Sequence, residues 1–276
     1  MIDLEVIFGY IMVQYFLHEE GSELEGMKKP FLILFIVVIV SCKKEEAPKI
    51  PVVEAPCTLD MTNYDYSYGI TYDEPQKYLV PGTQSDLDDH YLDEIIQSIG
   101  IPEKNLSGIL EVCSWVNQNF TFENAGGNMI GKKHVNELFE NKTYYGCHSE
   151  ALVISSVLRE FGLPTVMIET ASIAWAIKYN AGTGEGFAGH VMTEVYVDNR
   201  WILLDNNGTY VGEYQCLNPY IKMMDGQGLF TYTKGVDIWN YGVFEAAETH
   251  AKMIYFAHHI TCFNDWFGSV HYSWEN

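Results

Sequence analysis

An α+β fold is what the sequence predicts, on three observations: a helical segment that opens at Cys147, a strand directly after it, and a tight antiparallel hairpin between residues 190 and 205. The helix runs from Cys147 through Ala151, Leu152, Ile154, Val157, Leu158 and Phe161, and Gly162-Leu163-Pro164 stops it. Thr165 to Thr170, rich in branched and apolar residues, reads as the strand. In the hairpin, His190 to Val197 alternates strongly, Asp198-Asn199 supplies a turn, and Arg200 to Asp205 returns.

Earlier segments read as helices. Ser85 precedes an acidic, periodic one over residues 86–98, with Leu87, Tyr91, Ile95 and Ile96 on its apolar face and Gly100-Ile101-Pro102 at its end. Ser107 is expected to cap a second, which carries Ile109, Leu110, Cys113, Trp115, Val116 and Phe120 and ends near Asn119. A short helix follows around Val135 to Phe139, and Val243 to Ile260 reads as a terminal one. Residues 58–84 read as irregular, with at most one short strand. The aromatic tail through Trp266, Phe267, Tyr272 and Trp274 either covers a groove or packs on the body. At 276 residues and 47% hydrophobic, the chain can bury a core without disulfides or metals.

The formal net charge of -21 repels a polyanion and argues against nucleic acid as a partner. Lys28 and Lys29 precede the apolar run Phe31 to Val40, then Ser41 and Cys42: the layout of a secretory signal, too short for an ordinary membrane-spanning helix. Ile39-Val40-Ser41-Cys42 resembles a bacterial lipobox, which implies cleavage after Ser41, a lipid on Cys42 that anchors the protein to a membrane of the cell envelope, and a tether over 42–57. Residues 1–26 hold no Lys or Arg and do not fit this scheme; translation from Met27, with the signal over 27–41, is the expectation. The rest divides into an N-terminal appendage over 58–104, a core over 105–210 and a C-terminal extension with a helix over 211–276.

Cys147 falls at a helix N-terminus, where free amide N–H groups and the helix dipole favour thiolate over thiol and could also donate to an oxyanion. Pairing about a turn at 198 and 199 brings His190, at the start of one strand, close to Asp205, at the end of its partner. An imidazole fixed by a carboxylate can activate a thiol. His148 is expected to be a surface group, because adjacent helical side chains diverge, and Glu150 to be a solvated or capping residue. Glu194 shares a strand face with His190 and is either a carboxylate behind that histidine or, by the larger expectation, a surface charge. Tyr196 and Trp201 read as core. His250, His258 and His259 match no zinc-ligand spacing, and Cys113 reads as a buried small hydrophobe.

The segments YGCHSEALVISSVLREFGLP at 145–164 and GHVMTEVYVDNRWILLDNNG at 189–208 resemble the transglutaminase-like superfamily, relatives of the papain fold. The resemblance implies a Cys-bearing helix packed on an antiparallel sheet, with Cys147 as nucleophile, His190 as general base and acid, and Asp205 orienting His190. It also implies attack on the amide of a peptide, protein or glycopeptide through a thioester, with hydrolysis or transfer to an amine as outcomes and no metal or organic cofactor. The oxyanion would meet the Cys147 N–H and one further donor, for which Tyr144, Tyr145 and Asn119 are candidates. Tyr145, Val191-Met192 and Asn206 depart from the commonest family pattern and change the pocket walls. The rival expectation is an idle binding or scaffold module on the same fold.

Overall fold

The computed structural model describes residues 65–259 and 270–276, apart from positions 126, 185, 187 and 227. The signal segment, Cys42, the tether, and Trp266 and Phe267 of the tail lie outside the described residues.

A 3-10 helix, Pro75–Leu79, precedes α1 (Asp89–Ile99) and α2 (Leu106–Asn119). Strand β1 (Thr121–Phe122), α3 (Val135–Asn141) and β2 (Thr143–Tyr144) lead to α4 (Cys147–Glu160). Then come β3 (Thr165–Ser172), α5 (Ile173–Asn180), β4 (Gly189–Val197), β5 (Arg200–Leu204), β6 (Tyr210–Val211), β7 (Tyr220–Lys222), β8 (Gly228–Gly235) and α6 (Ala246–His259). The larger sheet has the order β6-β5-β4-β3-β8-β7, and each of its neighbouring pairs is antiparallel.

Helix α4 packs on one face of this sheet. Val153, Ile154, Val157 and Leu158 join Met167 of β3, Val191 and Val195 of β4, and Ile202 and Leu204 of β5 in one core, completed by α2 and α3 through Ile109, Val116, Leu138 and Phe139. Alternation sends Val166, Ile168, Met192, Trp201 and Leu203 to the other face, where Ile70, Tyr78, Tyr214 and Tyr272 cover them. Trp201 is core, as its sequence context indicates, and Tyr72, Tyr78 and Tyr196 ring it. The tail packs on the body through buried Tyr272 and a bridge from Glu275 to Tyr210.

The hairpin register runs from Thr193 opposite Leu204 to Val197 opposite Arg200. Asp198 and Asn199 both take positive φ, 50° and 59°, which suits a two-residue turn between twisted strands. The sheet does not stop at residue 210: β8 lies beside β3, so the C-terminal part supplies an interior strand. Helix α5 and strands β6 to β8 were not foreseen from the sequence.

Two helix starts differ from expectation. Helix α1 begins at Asp89 with Asp88 as its cap residue, because Ser85 is drawn elsewhere: its N–H and hydroxyl both donate to Asp237 Oδ2, at 3.2 and 3.1 Å. Helix α2 is capped not by Ser107 but by Asn105, whose Oδ1 accepts from the Gly108 N–H at 3.0 Å. Replacing Asn105 by Ala should lower stability by about 1 kcal/mol, read by denaturant unfolding; an unchanged midpoint would show that the cap is idle.

Candidate active site

Cys147 is the first residue of α4. Gly146 before it has φ 137°, a backbone conformation that favours glycine, and the sharp entry is held by Ser149, whose Oγ accepts from the Tyr145 N–H at 2.6 Å and donates to the Gly146 carbonyl at 3.2 Å. The first intrahelical bond runs from the Glu150 N–H to the Gly146 carbonyl. The N–H groups of Cys147, His148 and Ser149 therefore have no partner within the helix, and they direct positive potential at the thiol.

The hairpin brings His190 and Asp205 together on one face: His190 Nε2 lies 2.8 Å from Asp205 Oδ1. Asp205 is set by a turn in which its N–H donates to the Thr209 carbonyl and its carbonyl accepts from the Gly208 N–H. Oδ1 also accepts from the Asn206 N–H at 2.8 Å. Thr170 Oγ1 donates to the His190 carbonyl at 2.9 Å. Gly189 is required beside it, since a Cβ there would meet the Thr170 carbonyl oxygen at 2.3 Å.

The thiol is poised for ionisation. Burial alone would raise the Cys147 pKa, but hydrogen bonds with His148 and His190, and the charges of both, bring it down to about 6. Burial likewise opposes a charged His190, yet its bonds to Asp205 and Cys147 hold its pKa up at about 10.

His148 is not the surface group that its position suggested. It is 7% exposed, its Nδ1 lies 3.9 Å from Cys147 Sγ, and its Nε2 lies 2.6 Å from Oε1 of the fully buried Glu169 of β3. The divergence of adjacent helical side chains misled here because the sulfur sits at the helix end, where both directions reach it. Glu150 is half-buried rather than simply solvated, and burial together with the charge of Asp205 raises its carboxyl to about 7. Asn206 spans the site: its Nδ2 donates to the carbonyls of Cys147 and Val191, each at 3.2 Å, and so ties the start of α4 to β4. The sequence signal for Glu169 was a lone acid inside an otherwise apolar strand; Asn206 offered none beyond its place after Asp205.

The other candidates fall elsewhere. Asn119 is exposed, and its Nδ2 donates to the Trp115 carbonyl. Tyr144 sits half-buried in β2 against Phe122. Tyr145 lines the cleft with its side chain, but its N–H is already taken by Ser149. Glu194 is neither a surface charge nor a neighbour of His190: it is fully buried and lies 2.7 Å from Lys234 Nζ. A cleft of about 230 Å³ opens over Cys147, His148 and His190, walled by Phe122, Ile130, Tyr145 and Tyr232.

Residues 93–206 match the family model of the transglutaminase-like superfamily. Among solved structures, the chain is similar to a candidate cysteine protease from Cytophaga hutchinsonii, at 15% identity and a TM-score of 0.43, over 60% of this chain. The match spans about half, 48%, of that protein's length. No curated protein matches. Cys147, His190 and Asp205 all fall within residues 93–206, the segment that matches the transglutaminase-like superfamily, while the sheet continues beyond it through β6, β7 and β8.

Proposed function

We propose that the protein is a cysteine-dependent enzyme that attacks the amide of a peptide, protein or glycopeptide and passes the acyl group through a thioester to water or to an amine. The observation that carries this reading is the thiol of Cys147 at a helix start beside an imidazole held by a carboxylate, His190 to Asp205, at 2.8 Å. The Cys147 sulfur attacks the carbonyl carbon, and the charge that develops on oxygen is met by amide N–H groups at the start of α4. As the C–N bond breaks, His190 gives its proton to the departing nitrogen. Neutral His190 then takes a proton from water or an incoming amine, which attacks the thioester and releases the sulfur.

The walls favour an uncharged acyl portion. Phe122, Ile130, Tyr145 and Tyr232 offer aromatic and aliphatic surface, and the cleft lining carries no Asp, Glu, Lys or Arg among the described residues. Export and a lipid on Cys42 would expose this site to envelope or extracellular peptides.

Intact-mass measurement on a panel of peptides and glycopeptides, with and without an amine acceptor, tests the reading. Hydrolysis leaves a free carboxylate, transfer leaves a new amide, and both should vanish in Cys147→Ala. A panel that stays unmodified while binding persists in the variant would favour a binding module on this fold.

A further inference from the structure

Resting on that reading, one pair of groups beside the sulfur has no task in it. His148 and Glu169 form a second imidazole–carboxylate couple, on a different strand from the first. The two couples differ in access: the His148 side chain is 10% exposed and that of Glu169 0%, whereas His190 is 35% and Asp205 21% exposed. Both imidazoles line the cleft, but a group that protonates a leaving amine must be readily reached from it, and His190 is the more exposed of the two. A group that only balances the sulfur need touch nothing else, and a dry site strengthens that pairing.

We propose that His148, held by Glu169, is the standing proton partner of the Cys147 thiolate, which leaves His190 and Asp205 to serve the leaving group and the second nucleophile. The thiol proton moves to His148 Nδ1, and the electron pair stays on sulfur. The Nε2–H of the resulting imidazolium remains on Glu169 Oε1. Through the cycle His148 keeps its proton: it faces thiolate at rest, neutral sulfur in the thioester, and thiolate again when the acyl group departs. His190 alone gives a proton to the amine and regains one from water, so protons balance over a turnover.

The surroundings suit this division. Burial and the charge of Glu169 hold the phenols of Tyr232 in β8 and of Tyr241 well above their ordinary pKa, so both remain neutral hydroxyls beside the carboxylate. Other groups with a charge felt at the sulfur or its partners are Glu150 of α4, His190 of β4, and Asp205 after β5; Asp237, after β8, acts on Tyr241. Burial alone would lower the His148 pKa, but its bonds to Cys147 and Glu169 carry it to about 9.

The test is the pH dependence of alkylation of the full chain by iodoacetamide, a neutral probe whose rate follows the thiolate fraction. Wild type is expected to show a midpoint near about 6. His148→Asn and the nearly isosteric Glu169→Gln should each move it upward by about one unit or more, with about tenfold slower labelling on the acid side. His190→Asn should move it less while abolishing turnover of the peptide panel. The Glu169→Gln chain keeps the shape of the site and reads the effect if His148→Asn does not fold, as judged by thermal unfolding. A shift in both variants no larger than that in His190→Asn overturns this inference but leaves the acyl-transfer reading standing. An ordinary-thiol profile in wild type overturns both.

Discussion

Cys147→Ala is expected to remove amide turnover, with kcat/KM falling by on the order of a thousandfold or more, while the fold survives. The change deletes one sulfur atom at a half-buried helix start, and alanine is the best helix former. The backbone that sets the site is held by other groups, namely Ser149 Oγ across the Gly146 bend and Asn206 Nδ2 on the Cys147 carbonyl. Asp205→Asn should lower kcat by a comparable order, on the order of a thousandfold, with little change in KM. An amide can present its N–H to His190 Nε2 and trap the wrong tautomer, so that the nitrogen facing sulfur carries a proton that cannot be shared productively. Single-turnover mass spectrometry separates the two variants, because Cys147→Ala can form no thioester and Asp205→Asn forms one slowly. Undiminished turnover in Cys147→Ala would remove the thiol from the chemistry.

The first pair of this site was legible because it depends on local arithmetic. A helix start is marked by Gly146 and the apolar run after Cys147, and a two-residue turn fixes the register that joins His190 to Asp205. Glu169 became meaningful only when β3 was set between β4 and β8, with Glu169 opposite both Val191 and Thr233 and facing α4. That relation joins chain segments far apart in sequence, and no periodicity within either segment encodes it. Glu194 failed for the same reason. Alternation put it on the side of His190, whereas it lies with Met192 on the face away from α4, and what covers that face comes from Tyr72, Tyr214 and Lys234, contributed by three separate parts of the chain. Asn105 in place of Ser107 is a smaller failure of the same kind as any helix-end assignment, since two competent caps lay two residues apart and the Gly108 N–H selected one.

Lys234→Met is expected to be the most destabilising single change outside the cleft, at about 3–5 kcal/mol. Lys234 Nζ donates to Glu194 Oε1 at 2.7 Å, to Tyr72 Oη at 2.6 Å and to the Cys216 carbonyl at 2.6 Å, with neither charged side chain exposed. Methionine fills nearly the same volume, so the loss is electrostatic: Glu194 would retain only the hydroxyls of Tyr72 and Tyr214, at 2.7 and 2.8 Å, against a buried negative charge. Against the usual margin of about 5–15 kcal/mol for a domain, such a loss leaves the chain close to unfolding. Because β8 carries both Lys234 and Tyr232, the same variant should loosen the cleft wall before global unfolding, visible as faster amide exchange along β8. Adding Glu194→Gln removes the orphaned charge and should restore more than half of the lost stability. A denaturant-derived double-mutant cycle measures this directly. A single-variant loss under about 1 kcal/mol, or a double variant no more stable than Lys234→Met, would mean that Glu194 finds solvent or a proton when its partner goes, and that the buried pair does not hold β8 to β4.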